Sequence, residues 1–308
     1  MRTKFFITST LLIFFLINTS YGQSFVFRVL ASKGANQVKK AQNGETVPLK
    51  TGATLMSGDE LIAASGAYIG LMHKTGRTIE VRNPGVTKIT DLETKLASSK
   101  SSVANKYAKF VMNKMNDDDG DLASNYRRNM KATGAVERAT SSASLKVLLP
   151  SSVDVLNPEA IVRWEGSEEL PNASYIVSIK NIFDEEIFSA ETSNTSININ
   201  FDDDNLSNER LVILNVKVKD NDEIKSSDYG IKRMSSDDAA SINENLDALR
   251  ADISEDSPLN NLIFASFYEE NNLILDAMTQ YEKAVLASPD VEDFKTLYDD
   301  FLINNGLK

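Results

Sequence analysis

The stretch "PLKTGATLMSGDEL", residues 48–61, places two glycine turns six residues apart, at Gly52 and at Gly58-Asp59. Leucines recur at the same interval, at Leu49, Leu55 and Leu61. Glycine readily adopts the positive φ angles that tight turns require. We therefore predict hairpin turns at both glycines, with the three leucines in a core. Asp59 is predicted to be a turn residue whose carboxylate accepts nearby backbone N–H groups.

The sequence on both sides of this stretch continues the pattern. Between residues 24 and 92, short β-branched or alternating runs are separated by turn signals such as Asn43-Gly44. The runs are "SFVFRVLA", "NQVKKA", "ETVPLK", "TLMSGDELIAA", "AYIGLMHK", "RTIEVR" and "VTKITDL". They predict a small all-β domain of meandering strands over residues 23–95.

These residues carry a resemblance to a known family. The sequence "LKTGATLMSGDEL", followed by "AYIGLMHKTGRTIEV", resembles the FecR-type periplasmic domain over residues 25–92. The matching positions are Gly34, Leu49, Gly52, Leu55, Gly58, Asp59, Leu61, Gly76 and Ile79. The resemblance implies a cell-envelope location and suggests a part in relaying an envelope signal.

The first residues have the pattern of an export signal. The basic residues Arg2 and Lys4 precede an apolar run from Phe5 to Ile17, and small residues follow up to Gly22. We predict a signal peptide over residues 1–22 and a bacterial product that is periplasmic, secreted or on the cell surface. The alternative is an uncleaved membrane anchor. No later segment approaches the length of a membrane span, so we expect no stable membrane insertion after cleavage.

Composition excludes several classes of function. The chain carries 44 acidic and 33 basic residues, a net charge of −11, which disfavours binding to the phosphates of nucleic acids. It contains no cysteine, so disulfides, thiolate metal sites and cysteine nucleophiles are excluded.

A helical connector is predicted over residues 96–144. One apolar stripe at helical spacing comprises Val103, Tyr107, Phe110, Val111 and Lys114. The connector is locally basic in an acidic protein. We therefore expect it to dock on an acidic neighbour.

Residues 145–234 return to short strands, and we predict a β-sandwich there. The pair Val162-x-Trp164, followed by Tyr175-x-Val177-x-Ile179, resembles the second and third strands of immunoglobulin and fibronectin III domains. Trp164 is interpreted as a core side chain, with a ligand platform as the alternative.

The last segment, residues 235–308, is predicted to be helical. Counted from Pro258, a set of small and aromatic positions resembles one tetratricopeptide repeat. The set comprises Ala265, Tyr268, Ala277, Tyr281, Ala284 and Pro289. Asn272 stands where the repeat usually has a turn glycine, and Asn261 where it has an early tryptophan. We expect flanking helices near residues 237–252 and 291–303.

Candidate chemical sites are weak. In the acidic run of residues 116–122, an EF-hand loop centred on Gly120 would begin at Met115 and end at Tyr126, neither of which offers a carboxylate. The acidic runs 201–205 and 219–223 are interpreted as strand-end turns. His73 is the single histidine, and no Gly-x-Ser-x-Gly motif accompanies it.

The sequence therefore predicts a multidomain mixed fold: a small N-terminal all-β domain, a helical connector, a β-sandwich and a C-terminal helical repeat. It predicts no enzyme and no catalytic, cofactor-binding or metal site. The expected function is that of an exported scaffold or binding protein, with a protein partner on the C-terminal helices and an envelope glycan as a further partner. The alternatives are an envelope sensor related to FecR-type signal relay and a glycan-active enzyme.

Overall fold

The computed structural model describes residues 25–96, 102–116, 145–166, 170, 172–253 and 257–308. The predicted signal peptide lies outside these residues. So do residues 117–144, which include the acidic run after Asn116 and the second half of the predicted connector.

The first β unit comprises eight strands and one helix. The strands are β1 Phe27–Lys33, β2 Gln37–Lys39, β3 Thr46–Pro48, β4 Thr54–Leu55, β5 Glu60–Ala63, β6 Tyr68–His73, β7 Thr78–Val81 and β8 Gly85–Lys88. They form two four-stranded sheets, in the orders β4-β1-β6-β7 and β3-β2-β5-β8. The opening stretch thus contributes β4 to one sheet and β5 to the other, and the turn at Gly58, with φ of 90°, separates them. Gly52 also has positive φ, at 83°, and Leu49, Leu55 and Leu61 are buried as predicted.

This unit is not purely β, and the prediction of a strand through "VTKITDL" is wrong in its second half. A helix, α1 Ile89–Lys95, begins directly after β8. Ile89 and Leu92, three residues apart on one helical face, are both buried in the core of the unit. The short run was ambiguous because such a spacing of two apolar residues fits a helix as well as a strand.

The second β unit comprises eight strands and is preceded in the chain by α2, Ser102–Asn116. The strands are β9 Ser152–Val155, β10 Glu159–Arg163, β11 Tyr175–Lys180, β12 Glu186–Thr192, β13 Ser196–Asn200, β14 Leu211–Val218, β15 Asn221–Lys225 and β16 Tyr229–Arg233. One sheet has the order β12-β11-β14-β16-β9, with β15 also paired to β14, and the other is β10-β13. All its strand pairs are antiparallel except that of β16 with β9.

Two details of this unit differ from the sequence prediction. The run "LKVLLP" forms a single bridge, Val147 with Trp164, rather than a strand. The acidic run 219–223 was predicted to be a turn, but β15 begins within it at Asn221. The run 201–205 is a turn with exposed aspartates, as predicted. Trp164 is buried and meets Tyr175 edge to face at 5.4 Å, which fits its predicted place in the core.

Four helices form the C-terminal part: α3 Ser236–Asp252, α4 Pro258–Glu270, α5 Ile274–Ala287 and α6 Glu292–Asn304. The Ser257 side chain caps α4, and Pro258 occupies its first turn, where proline costs no hydrogen bond. Asn272 connects α4 to α5 with a positive φ of 57°, the conformation that a turn glycine usually supplies. α3 and α6 lie where the flanking helices were predicted.

We call α4 and α5 together the central hairpin. The run from Pro258 to Tyr268 is buried without interruption, and so is the run from Ile274 to Glu282. A helix that is apolar or buried on all sides belongs to the interior of a structure rather than to its surface. The hydrophobic core of the hairpin continues into α2, into the second β unit and to Leu30 and Tyr68 of the first.

The predicted mixed fold class is confirmed in outline, since sheets, helices, further sheets and C-terminal helices follow one another along the chain. Among the described residues, no helix combines the length and apolarity needed to cross a membrane.

Candidate functional site

The central hairpin lies between the two β units, and charged side chains join it to both. Glu80 of β7 reaches the N-terminus of α4, where its Oε1 accepts hydrogen bonds from Ser257 Oγ at 2.6 Å and from the backbone N–H of Leu259 at 3.2 Å. A carboxylate at this end of a helix satisfies free N–H groups and complements the helix dipole. The first β unit thus supplies a cap for a helix nearly two hundred residues later in the chain.

Further contacts of the first β unit surround this cap. Thr78 Oγ1 donates a hydrogen bond to Asn260 Oδ1 on α4. Tyr68 meets Phe294 of α6 edge to face at 5.5 Å. Lys33 forms an exposed ion pair of 2.7 Å with Asp290, at the connection from α5 to α6. Apolar and polar contacts therefore both extend over this interface.

Asp276 joins α5 to the second β unit. The residue is 1% exposed, and its carboxylate accepts hydrogen bonds from the backbone N–H groups of Leu156 and Asn157 at 3.0 and 2.8 Å. Asn157 Nδ2 donates a third, at 2.6 Å. Burial raises the pKa of Asp276 to about 6, and the hydrogen bonds from Leu156 and Asn157 oppose that rise. The carboxylate thereby fixes the loop between β9 and β10 onto the helix.

One turn further along α5, Thr279 continues the contact. Its hydroxyl accepts a hydrogen bond of 2.9 Å from the backbone N–H of Ile161 and donates one of 2.8 Å to the carbonyl of Leu275. Ile161 lies in the middle of β10, a strand that ends its sheet. The helix thus covers part of an edge strand whose N–H groups would otherwise lack partners.

Glu282, at the next position on the same face of α5, is 1% exposed. It forms a bidentate ion pair with Arg163 of β10, in which Nη2 lies 2.7 Å from Oε2 and Nε donates to Oε1. The hydroxyl of Tyr298 on α6 donates a further hydrogen bond of 2.7 Å to Oε1. The side-chain hydrogen bond to Glu282 raises the pKa of Arg163, and burial lowers it in part. The buried charge of Glu282 is therefore compensated.

The connector helix α2 docks on the same hairpin. Tyr107 meets Phe267 of α4 edge to face at 5.3 Å, and Lys114 binds Glu269 with its ammonium 2.7 and 2.8 Å from the two carboxylate oxygens. Lys106 pairs with Glu270 next to it. The expected docking of a basic helix on an acidic neighbour is confirmed for the described part of the connector.

The buried stripe of α2 agrees with the predicted one only in part. It comprises Ala104, Tyr107, Ala108 and Val111, of which Tyr107 and Val111 were predicted, while Phe110 is 39% exposed. Each alanine lies three residues before a larger side chain of the stripe and allows a close approach to α4 that a phenylalanine would prevent. A pattern that counted large apolar residues alone missed them.

The two polar residues singled out in the first β unit have structural partners. Asp59 accepts hydrogen bonds from the backbone N–H groups of Met56 and Ala41, both at 3.0 Å, and pairs with Lys40 at 3.0 Å. Burial alone would raise the pKa of Asp59, but these hydrogen bonds and the lysine lower it. This confirms its prediction as a turn former.

His73 ends β6, and the strand is buried along its whole length rather than alternating. Its Nδ1 lies 2.7 Å from Thr75 Oγ1 and its Nε2 lies 3.5 Å from Glu93. Burial lowers the pKa of His73, and Glu93 partly opposes this. The histidine thus has a turn threonine and a helix glutamate as neighbours.

Within the ranges that the structure describes, no three His, Asp or Glu side chains come together in a group that could hold a metal ion. The chain matches no protein-family model, and comparison with curated proteins finds none that is similar to it.

The sequence did not single out the residues on which this interface depends. In the sequence, four of them are indistinguishable from ordinary surface charges on a strand or a helix: Glu80, Arg163, Asp276 and Glu282. A signal was present in α5, where Asp276, Thr279 and Glu282 recur at intervals of three residues. That spacing predicts that the three polar groups share one helical face. It does not predict that this face is buried against another part of the protein.

Proposed function

We propose that this chain is an exported, non-enzymatic scaffold or binding protein of the bacterial cell envelope. In this account the central hairpin holds the two β units in one fixed arrangement and leaves their outer surfaces for partners. The observation that carries the proposal is the set of polar contacts along the hairpin: the half-buried Glu80 at the N-terminus of α4, and the buried Asp276 and Glu282 on α5. Such contacts require one particular alignment of the parts, because a misaligned buried charge is costly.

Three family likenesses support the proposal. In the first β unit, the positive φ angles of Gly52 and Gly58 and the buried leucines fit a FecR-like pattern. In the second, the strand orders β10-β13 and β11-β14-β16 are compatible with the B-E and C-F-G neighbours of an immunoglobulin-like sandwich. In the central hairpin, Ala265, Ala277 and Ala284 are fully buried, as in a tetratricopeptide repeat.

We infer the position of a partner surface on the C-terminal helices from the residues that remain exposed. The inner faces of α4 and α5 are filled by the chain's own parts, so a groove between them is not open to a partner. α3 retains an acidic outer face that includes Asp237, Glu244 and Asp247. We infer a protein partner with a basic surface that binds there.

A capture experiment with envelope extract tests this function. The bait is the whole chain, and the test variant carries Glu244→Lys and Asp247→Lys. A matched control, Glu45→Lys with Asp91→Lys, makes the same change in net charge on exposed residues of the first β unit. We expect one partner to be captured by the wild type and the control and lost with the test variant. Capture of no partner, or equal capture by all three baits, would contradict the proposal.

A further inference from the structure

β12, Glu186–Thr192, is the longest described strand that lies at the end of a sheet. It pairs with β11 on one side, and no backbone hydrogen bond among the described residues reaches its other side. Edge strands offer free N–H and C=O groups to a new strand, and proteins commonly guard them with proline, charged side chains, bulges or a covering helix. β12 contains no proline or lysine, and its guards are Glu186, Glu191 and a bulge at Ile187, which leave residues 188–190 open, whereas the edge of β10 is covered by α5.

The turn before β12 adds a second observation. Ile182 and Phe183 at its tip are 60% and 77% exposed, and Phe183 is the most exposed large apolar side chain among the described residues. The turn is held in one shape, because Asn181 Oδ1 accepts hydrogen bonds from the backbone N–H groups of Phe183 and Glu185 at 2.9 and 3.1 Å. A fixed turn that exposes two apolar side chains at the end of an open strand is typical of a contact surface.

We propose that β12 pairs edge to edge with β12 of a second copy of this chain, forming a two-fold symmetric, antiparallel dimer with one continuous sheet. Such an interface is self-complementary, since each strand is both donor and acceptor. A symmetric pairing of this kind places one residue of the strand on the two-fold axis.

The charges of β12 limit its pairing with a second copy to two registers. With Ser189 or Ala190 on the axis, neither Glu186 nor Glu191 faces an acidic residue of the second copy. With Phe188 on the axis, Glu191 faces Glu185 of the second copy, and with Glu191 on the axis it faces itself. Both arrangements are unfavourable because like charges then stand directly opposite each other. The strand is thus compatible with its own copy in two adjacent registers. A bulge at Ile187 interrupts the ladder with β11 at the start of the strand, while residues 188–192 are regular.

Single cysteines test the geometry directly, because the natural chain contains none. In an antiparallel pair, opposite Cβ atoms lie roughly 4.5–5.5 Å apart, close enough for a disulfide after small adjustments. Ser189→Cys and Ala190→Cys are oxidised in parallel with Ser207→Cys, an exposed control on another loop. We expect a disulfide-linked dimer from one or both β12 variants and not from the control. Monomers from both β12 variants would overturn the proposal.

A charge variant tests the same dimer without covalent bonds. Ser189 is exposed, so Ser189→Glu should leave the fold intact. In both registers the new glutamate faces an acidic residue of the second copy, either its own counterpart or Glu191. By sedimentation equilibrium we expect the wild type to dimerise and this variant to do so with roughly tenfold or more weaker affinity. Ser189→Lys separates the registers, since it faces Glu191 when Ala190 is on the axis and itself when Ser189 is. A monomeric wild type, or equal dimerisation by Ser189→Glu, would exclude pairing through β12.

Discussion

Asp276 Oδ1 accepts two hydrogen bonds from Asn157, one from its backbone N–H at 2.8 Å and one from its Nδ2 at 2.6 Å. A buried carboxylate on a C-terminal helix and a loop of the second β unit are thus joined more than a hundred residues apart in the chain. The contact connects the two parts through polar geometry rather than through apolar area alone. Replacing Asp276 should therefore weaken the interface between α5 and the second β unit.

Replacing Asp276 by asparagine should destabilise the protein. The amide keeps one acceptor oxygen but turns an N–H₂ group toward one of the N–H donors, which leaves a buried donor unpaired. We expect the free energy of unfolding to fall by about 1–3 kcal/mol. Urea unfolding measures it, with Asp290→Asn as the control because that carboxylate is exposed and forms its ion pair with Lys33. The control should change the free energy by less than about 1 kcal/mol. Equal effects of the two variants would show that Asp276 does not join the parts.

The pH dependence of stability follows from the same residue. Burial raises the pKa of Asp276 from its ordinary value of 3.8 to about 6, so between these values the folded state binds more protons than the unfolded chain. The contribution of Asp276 to stability is therefore full below pH 4 and falls as the pH rises toward 6, by an amount on the order of 2–3 kcal/mol.

The measurement is urea unfolding of the wild type and of Asp276→Asn at a series of pH values. The difference between the two profiles isolates Asp276, since the other carboxyl groups titrate in both proteins. We expect the asparagine variant to become relatively more stable as the pH rises from 4 to 6. A difference that is constant over this range, or that changes in the opposite sense, would contradict the assignment.

The pair of Arg163 and Glu282 should show strong coupling. Arg163→Met leaves the buried carboxylate of Glu282 without its cation and should cost about 3–5 kcal/mol. Adding Glu282→Gln removes that unpaired charge, so the double variant should be more stable than the sum of the single effects predicts. The exposed pair of Lys217 and Asp222, 2.6 Å apart, serves as the comparison and should show coupling below about 1 kcal/mol. A double-mutant cycle with no coupling energy would show that the pair of Arg163 and Glu282 does not stabilise the interface.

Gly76 tests the contact between the first β unit and α2. It has a φ of 91°, and a Cβ atom added there would overlap the backbone of Asn105 in α2. Gly76→Ala should thus destabilise the protein in two ways, through the strained backbone conformation and through displacement of the helix. Gly66→Ala is the matched control, because Gly66 also has positive φ but faces open space. We expect the control to cost roughly 1 kcal/mol and Gly76→Ala clearly more. Equal costs in thermal unfolding would show that α2 does not rest on this turn.

Local features of this chain could be predicted from its sequence. Gly52, Gly58 and Asp59 were identified as turn residues because their chemistry acts within a few residues of chain. Asn272 was recognised as the residue at the turn of the helical hairpin, and its positive φ is the conformation that the usual glycine would supply there. Such features depend on residues that are close together in the sequence, so the sequence alone is enough to predict them.

The interface could not be predicted in this way. Asp276 and Glu282 carry charges, so their sequence suggests solvent, and their burial depends on donors from a distant loop and strand. The uninterrupted burial of α4 from Pro258 to Tyr268 likewise depends on two β units that approach it from elsewhere in the chain. Phe110 shows the converse, since the alanines beside it, and not its size, decided which face of α2 is buried.

The central claim is that the hairpin makes the two β units and the helices one structural unit. Differential scanning calorimetry of the whole chain tests it most directly, because parts joined by a weak interface unfold separately. We predict a single transition whose calorimetric and van't Hoff enthalpies agree, and which moves as a whole to lower temperature in Asp276→Asn. Two resolved transitions in the wild type, with only one shifted by the substitution, would contradict the account.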